Sequence, residues 1–139
     1  AGKQWIKNFG DKANRDVSKI RGYNKSDKFT GLRKFIRITK RRSSIKQQDC
    51  DLDLQYIKNL WDQQNGICPI TGWKLLLKEK KVCLPNQASL DRIDSEMGYV
   101  KGNVRFVALI ANYCRNNFSD KQVLDFCSAV VYNSKQSTC

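Results

Sequence analysis

Residues 88–117 decide the predicted fold, and they read ASLDRIDSEMGYVKGNVRFVALIANYCRNN. A short strand is predicted at residues 89–93, followed by a polar loop that contains two glycines. The apolar residues from Val104 onward predict a second short strand, which leads into a helix through about Asn116. We therefore predict an α+β fold built on a strand, a loop, a second strand and a helix.

Flanking elements are predicted on both sides of this unit. Residues 29–43 carry apolar side chains near helical spacing and basic side chains on the remaining surface, which is typical of a basic amphipathic helix. The other predicted elements are a helix that begins at Asp51 or Asp53 and ends at Gly66, a hairpin over residues 66–77 (GICPITGWKLLL), a brief strand at residues 82–84, and a last helix with a capping box of Ser119 and Gln122.

The formal charge of +13 is unevenly distributed along the 139 residues. Residues 1–48 hold 15 Lys and Arg against three Asp, a net of +12, whereas residues 49–139 hold 11 against ten acidic residues, a net of +1. We therefore predict a basic amino-terminal DNA-binding arm with its helix at residues 1–48, and a second domain at residues 49–139. A solubilising tail or a membrane-surface patch is the alternative. Interleaved aromatic residues favour a nucleic acid, and these are Trp5, Phe9, Tyr23, Phe29 and Phe35.

Composition also narrows the class of protein. No apolar run approaches the ~20 residues of a membrane span, and the start AGKQWIKNFG lacks the order of a secretory signal, so we expect a cytoplasmic protein without membrane contact. The six cysteines are widely and irregularly spaced, which favours reduced thiols over a disulfide scaffold. Without histidine or a CxxC pair, we expect no structural zinc.

Asp91 and Asn112 are the candidate metal ligands. Asp91, at the end of the first predicted strand, can supply a hard anionic oxygen, and Asn112, on the following helix, can supply a neutral one. Mg²⁺ suits such a pair because it binds few protein ligands and keeps several of its waters. The alternative for Asp and Asn in this stretch is a turn-forming role, which we expect for Asp94 and Ser95.

Four motifs resemble those of the small phage and bacterial HNH endonucleases. They are CPxTGW at residues 68–73, SLDRIDSxxGYVxGNV at 89–104, ANY at 111–113 and FSD at 118–120. The resemblance covers roughly residues 54–127. It implies a ββα-metal core and a metal-dependent DNA endonuclease that hydrolyses phosphodiester bonds with Mg²⁺, for which Mn²⁺ can substitute.

The resemblance also assigns residues to roles. Asp91 falls at the first metal-ligand position, Asn103 at the central asparagine and Asn112 at the last ligand position. Arg92 is a departure, because the family has a histidine there that activates water. Arginine stays charged and is a poor general base, so we expect Arg92 to bind the scissile phosphate. For the base, Tyr99 is the first candidate, and a metal-activated water, Asp94 or Glu96 are the alternatives.

The remaining candidates are basic side chains expected to hold the double-stranded DNA backbone without reading its sequence. A homodimer or two successive nicks would be needed to cut both strands. Two rival functions stay open, a DNA-binding module of the same fold without catalysis and a basic RNA-binding protein. The predicted DNA-binding residues are Arg33, Lys34, Arg37, Lys40, Arg41 and Arg42 on the first helix, with Lys101, Arg105 and Arg115 in the second domain.

Overall fold

The computed structural model describes residues 26–77 and 83–137. It divides the chain into two compact units, Ala1–Thr30 and Gly31–Cys139. The elements named below all belong to the second unit. The predictions for Trp5, Phe9, Tyr23 and Val82 lie outside the described residues. The elements are α1 (Arg33–Lys46), α2 (Leu54–Gln63), β1 (Ala88–Arg92), β2 (Val104–Ala108), α3 (Leu109–Arg115) and α4 (Asp120–Gln136).

The fold is α+β, with one two-stranded sheet among the described residues. β1 and β2 pair antiparallel, and in their register Asp91 lies opposite Arg105. α3 begins at the residue after β2, so the order strand, loop, strand, helix agrees with the prediction. Because successive side chains of a strand alternate between its two faces, Ser89 and Asp91 point to the same side of β1.

The core is centred on Phe106 of β2, which is fully buried. Its ring meets Phe35 of α1 and Trp61 of α2 edge to face, with centroids 5.1 and 5.2 Å apart. Gln64 holds the outer edge of β2, since its Oε1 accepts from the Phe106 amide and its Nε2 donates to the Phe106 carbonyl, both at 2.8 Å. Helices α1 and α2 therefore pack on one side of the short sheet through aromatic contacts.

Helix α1 begins later than the predicted residue 29 and ends later than the predicted residue 43. Before it, the Asp27 carboxylate accepts from the Phe29 amide and the Thr30 hydroxyl accepts from the Asp27 amide, which makes a turn instead of helix. Gly31 then adopts a φ of +83°, a left-handed conformation that glycine accommodates. The sequence-based division at residue 48 places α1 with the basic arm, whereas the helix itself packs on the core of the second unit.

The hairpin predicted over residues 66–77 is a tight turn with one antiparallel bridge, between Ile67 and Lys74. Inside it, Gly72 donates to the carbonyl of Cys68, and the Cys68 thiol accepts from the amide of Ala108. Cys68 is buried, and it ties the turn to the end of β2. The motif CPxTGW at residues 68–73 therefore has a structural role next to the sheet.

Helix α4 begins with the predicted capping box, in which Ser119 accepts from the Gln122 amide and Gln122 accepts from the Ser119 amide. Val123 is the one buried residue of α4, so most of the apolar side chains of this helix are exposed. The exposed apolar side chains of α4 are Leu124, Phe126, Val130, Val131 and Tyr132. Across the described ranges, no helix combines the length and the apolar character that crossing a membrane requires.

Candidate active site

A cleft of about 240 Å³ opens between α1, the end of β1, the loop after β1 and the end of α3. It brings together four of the five residues that the sequence analysis assigned to metal binding and catalysis, and Asn103 is the fifth. The cleft is lined by Arg42, Lys46, Leu90, Asp91, Arg92, Ser95, Tyr99, Asn112, Asn116 and Asn117.

Asp91 is the one carboxylate of this lining, and its residue is 4% exposed. Each of its oxygens accepts from one arginine, Oδ1 from Nη1 of Arg115 at 2.9 Å and Oδ2 from Nε of Arg105 at 3.1 Å. Such pairing is what makes a buried charge tolerable, because an isolated carboxylate would lose its hydration without compensation. The two arginines therefore fix the orientation of the Asp91 carboxylate, the candidate metal ligand.

Asp120, at the start of α4, closes these contacts into a ring of four charges. Its carboxylate accepts from Nη1 and Nη2 of Arg105 at 2.8 and 2.6 Å and from Nε of Arg115 at 2.9 Å. The hydrogen bond from Arg105, and then that from Arg115, lower the pKa of Asp120 to about 2 against the opposing effect of burial. The same contact with Asp120 raises the pKa of Arg105. Through Asp120, the FSD motif thus connects α4 to the two arginines that bind Asp91.

The ring corrects the expectation that Arg105 and Arg115 hold a DNA backbone. Arg115 is only 5% exposed, and it also donates to the carbonyl oxygens of Arg92 and Ile93. The side chain of Arg105 is mostly covered and donates to two carboxylates. Both guanidinium groups are bound to Asp91 and Asp120, and they support Asp91.

Asn112 is oriented by Ser89. Its Nδ2 donates to the Ser89 hydroxyl at 2.7 Å, and its Oδ1 accepts no hydrogen bond from any residue in the described ranges. Since Asn112 lines the cleft beside Asp91, its carbonyl oxygen is available to a ligand. Ser89 is a positioning residue that the sequence analysis missed, although its place two residues before Asp91 on one strand is a usable signal.

Arg92 is anchored from one end. Its Nη1 donates to Oε1 of Gln48 at 2.9 Å and to the carbonyl of Met97 at 3.1 Å, and its guanidinium lies 5.3 Å from the centre of the Tyr99 ring. Its Nε and Nη2 donate to no group within residues 26–77 and 83–137. Because guanidinium has five N–H donors in a rigid fork, this leaves donors for a phosphate.

Tyr99 is 6% exposed and reaches the cleft through its hydroxyl, which accepts from Nη1 of Arg42 at 3.2 Å. A parallel bridge with Cys50 holds its backbone. Asp94 and Glu96, the other candidate bases, are absent from the cleft lining. The Asp94 carboxylate instead accepts from the Glu96 amide, which is the turn-forming role that the sequence analysis also weighed.

Asn103 does not line the cleft, which corrects its expected catalytic place. Its Oδ1 accepts from the Asp94 amide at 2.9 Å, and its Nδ2 donates to the carbonyls of Asp94 and Gly98 at 3.0 Å. These three bonds cross the loop between β1 and β2. Asn103 is therefore a positioning residue, and it holds the loop that carries Tyr99 and Ser95.

The basic residues of α1 divide between two faces. Arg42 and Lys46 are four residues apart, and so on one side of the helix, and they line the cleft. Arg37, Lys40 and Arg41 are also exposed but do not line it. Lys46 is not among the residues predicted from the sequence. Lys34 donates to the carbonyl of Leu77, and Arg33 is half-buried. Lys101 does not line the cleft, and its Nζ lies 2.7 Å from a carboxylate oxygen of Asp53.

The oxygen donors of the cleft make a sparse set for a divalent cation. Within the described parts of the chain, no group of three or more His, Cys, Asp or Glu side chains is placed to hold a metal ion. Asp91 and Asn112 nevertheless fit a sparse site, because a carboxylate has about four lone-pair positions and the two arginines use two of them. Mg²⁺ is bound through one or two protein oxygens when phosphate and water supply the others.

Comparison with known proteins finds similarity to an uncharacterized phage protein. The chain is 33% identical over 88 residues, 62% of its length, to an uncharacterized 29.0 kDa protein in the dda-modA intergenic region of Enterobacteria phage T4. It spans about a third of that relative, since the match covers 31% of the phage protein. No protein-family model matches the chain. No solved structure matches it.

Proposed function

We propose that the protein is a metal-dependent DNA endonuclease of the HNH type, with a ββα-metal core formed by β1, β2 and α3. The observation that carries this proposal is that Asp91, Arg92, Tyr99 and Asn112 line one cleft. These residues come from a strand, the loop after it and a helix. An acidic oxygen, an amide oxygen, a guanidinium fork and a hydroxyl are the groups that phosphodiester hydrolysis with a single cation needs.

Each of these side chains has a role that follows from its contacts. Asp91 and Asn112 would hold Mg²⁺, which when bound supplies Lewis-acid stabilisation of the charge on the phosphate and the leaving 3′ oxygen. Arg92 binds a nonbridging phosphate oxygen with Nε and Nη2, because Nη1 is held by Gln48. Tyr99 or a solvent molecule accepts the proton of the attacking water.

Duplex DNA is the proposed substrate because α1 and the amino-terminal sequence are strongly basic. Arg37, Lys40 and Arg41 form an exposed basic surface on α1, and the first 48 residues carry a net charge of +12. Phosphate contacts of this kind give affinity without sequence specificity, and they weaken steeply with salt. One such centre cuts one strand, so a linear product would require a dimer or two successive nicks.

A second function is favoured by the two arginines on Asp91. A carboxylate already compensated by Arg105 and Arg115 attracts a cation less strongly than a lone carboxylate does. The same cleft could then bind the DNA backbone without hydrolysing it. This alternative predicts tight, salt-sensitive binding that no divalent cation converts into cleavage.

The two functions are separated by a plasmid assay. We expect supercoiled DNA to be nicked in Mg²⁺ or Mn²⁺ but not in EDTA, and nicking to be lost in Asp91→Ala and Asn112→Ala. Asp125→Ala and Asn133→Ala on exposed positions of α4 are the matched controls and should keep full activity. Binding without nicking in every condition would favour the inactive DNA-binding module. Preference for structured RNA over duplex DNA, again without cleavage, would favour an RNA-binding protein.

A further inference from the structure

The charges of the cleft are unsuited to a free cation. Of the ten lining residues, Arg42, Lys46 and Arg92 are cationic and Asp91 is the one carboxylate, which makes the lining +2. Behind Asp91 lie Arg105, Arg115 and Asp120, and these add one further positive charge. A divalent cation entering this cleft alone would meet a net repulsion, because its one anionic ligand is already paired with two guanidinium groups.

The same groups are suited to a phosphate. Nε and Nη2 of Arg92 donate to no other described residue. Lys46 forms no ion pair with any residue in the described ranges. Arg42 uses one guanidinium nitrogen on the Tyr99 hydroxyl, so its other nitrogens also remain. The cleft volume of about 240 Å³ corresponds to roughly eight water volumes, which accommodates a phosphate group with several waters.

Binding of an anion reverses the balance of charge. A phosphate diester brings one negative charge to a lining of +2 and also supplies oxygen ligands, which Mg²⁺ prefers to a site made of protein oxygens alone. The carbonyl oxygen of Asn112 and the remaining lone pairs of Asp91 can complete such a set. Anion and cation are thus thermodynamically linked at this site, and each raises the affinity for the other.

We infer that the cleft is a phosphate subsite which is filled first, and that a divalent cation binds only to the phosphate-loaded protein. The first half stands on the contacts of Arg42, Lys46 and Arg92 alone. The second half rests on the proposed function, because it takes Asp91 and Asn112 as metal ligands.

The first half is tested by titrating inorganic phosphate into the full chain in EDTA, followed by isothermal calorimetry. We expect binding without metal, and a loss of affinity of about tenfold in Arg92→Gln and Lys46→Gln, the amount typical of one charge-assisted hydrogen bond. Lys135→Gln, an exposed change on α4 that removes the same charge, should keep the wild-type affinity. Absence of metal-free phosphate binding, or equal losses in all three variants, would overturn the subsite.

The second half is tested by the electron paramagnetic resonance signal of Mn²⁺, which reports the free ion. The wild-type chain and Asp91→Asn are compared with and without a phosphorothioate duplex, so that binding by the DNA itself cancels. Without DNA, the two proteins should bind Mn²⁺ equally weakly. With DNA, the wild type should bind it about tenfold or more tightly than Asp91→Asn, within the usual range of coupling between sites.

A variant that binds Mn²⁺ more tightly is a useful control, because misfolding would not increase the affinity. Removing two cleft cations in Arg42→Gln/Lys46→Gln should raise the affinity of the DNA-free protein for Mn²⁺, because the repulsion decreases. Equally tight, Asp91-dependent Mn²⁺ binding with and without DNA would overturn the binding order and support the proposed function. If Mn²⁺ binding does not depend on Asp91 either with or without DNA, the metal-dependent function and the binding order are both refuted. The phosphate subsite is then decided by the calorimetric titration alone.

Discussion

Replacing Gly98 with alanine would place a Cβ atom against the backbone of Asp49. The added atom would lie 3.0 Å from both the amide nitrogen and the carbonyl carbon of Asp49, and closer still to its carbonyl oxygen. Cβ atoms are not found at such distances, and here the obstacle is backbone, which cannot rotate away as a flexible side chain would. The loop would have to move, and the bridge between Cys50 and Tyr99 would be strained.

The expected magnitude follows from the cost of overpacking, which is about 1–3 kcal/mol, and we expect the upper half of that range because no side chain can give way. For a chain of this size, 2–3 kcal/mol corresponds to a fall in Tm of about 6–15 °C. Gly102→Ala is the matched control. Gly102 has no atom within 4 Å of its added Cβ but has a φ of +87°, so it should cost about 1–2 kcal/mol from backbone conformation alone.

Differential scanning calorimetry and urea denaturation of the two variants measure this difference. Plasmid nicking should also fall further in Gly98→Ala than in Gly102→Ala when both are assayed well below their Tm, because the first change displaces Tyr99. A Gly98→Ala variant that is as stable as Gly102→Ala, or more stable, would refute the predicted clash with Asp49. In that case the approach of the loop to Asp49 would not be a constraint on the site.

Three further predictions concern the residues that position the site. Ser89→Ala should lower the nicking rate about tenfold or more with little change in Tm, since a residue that orients a ligand typically affects function by that factor. Asn103→Ala should lower the free energy of unfolding in urea by about 1–3 kcal/mol, because it leaves buried loop groups of Asp94 and Gly98 without partners. Asp120→Asn should cost about 1 kcal/mol at pH 7, a value discounted for a side chain that is 54% exposed. The pKa of Asp120 is lowered to about 2, so its contribution is complete above its unfolded pKa of about 4 and is lost as the pH falls toward 2. Urea denaturation of wild type and Asp120→Asn should therefore converge between pH 4 and pH 2, and a constant difference would contradict the ion pairs.

The order of β1, β2 and α3 can be predicted from sequence because it is a local property. Apolar spacing, two loop glycines and the capping box of α4 all lie within a few residues of the structure they specify. The meeting of Asp91 with Asn112 is also predictable, since a strand end and the helix after the next strand must lie close together in a ββα unit. The resemblance to HNH enzymes adds to this expectation but does not replace it.

The roles of Arg105 and Arg115 could not be predicted in the same way. In the sequence, both arginines also fit a basic surface that contacts DNA. In the structure, both instead form ion pairs with Asp91 and Asp120. The numbers of residues between these arginines and aspartates follow no helix or strand period, so the sequence does not indicate the ion pairs. Lys46 was missed for a different reason. It lies beyond the predicted end of the first helix, and its spacing of four residues from Arg42 becomes informative only when the helix is known to continue.

The arginine at position 92 is consistent with a cleft built around phosphate. Its Nη1 holds Gln48 and the carbonyl of Met97, while Nε and Nη2 stay available. A histidine has two ring nitrogens and could not form both anchoring bonds while donating to a ligand as well. In the proposed function, position 92 is therefore an anchored anion receptor and not a general base. If cleavage occurs here, activation of water must come from Tyr99 or from the cation, and the rate should depend more on phosphate positioning than on proton transfer by residue 92.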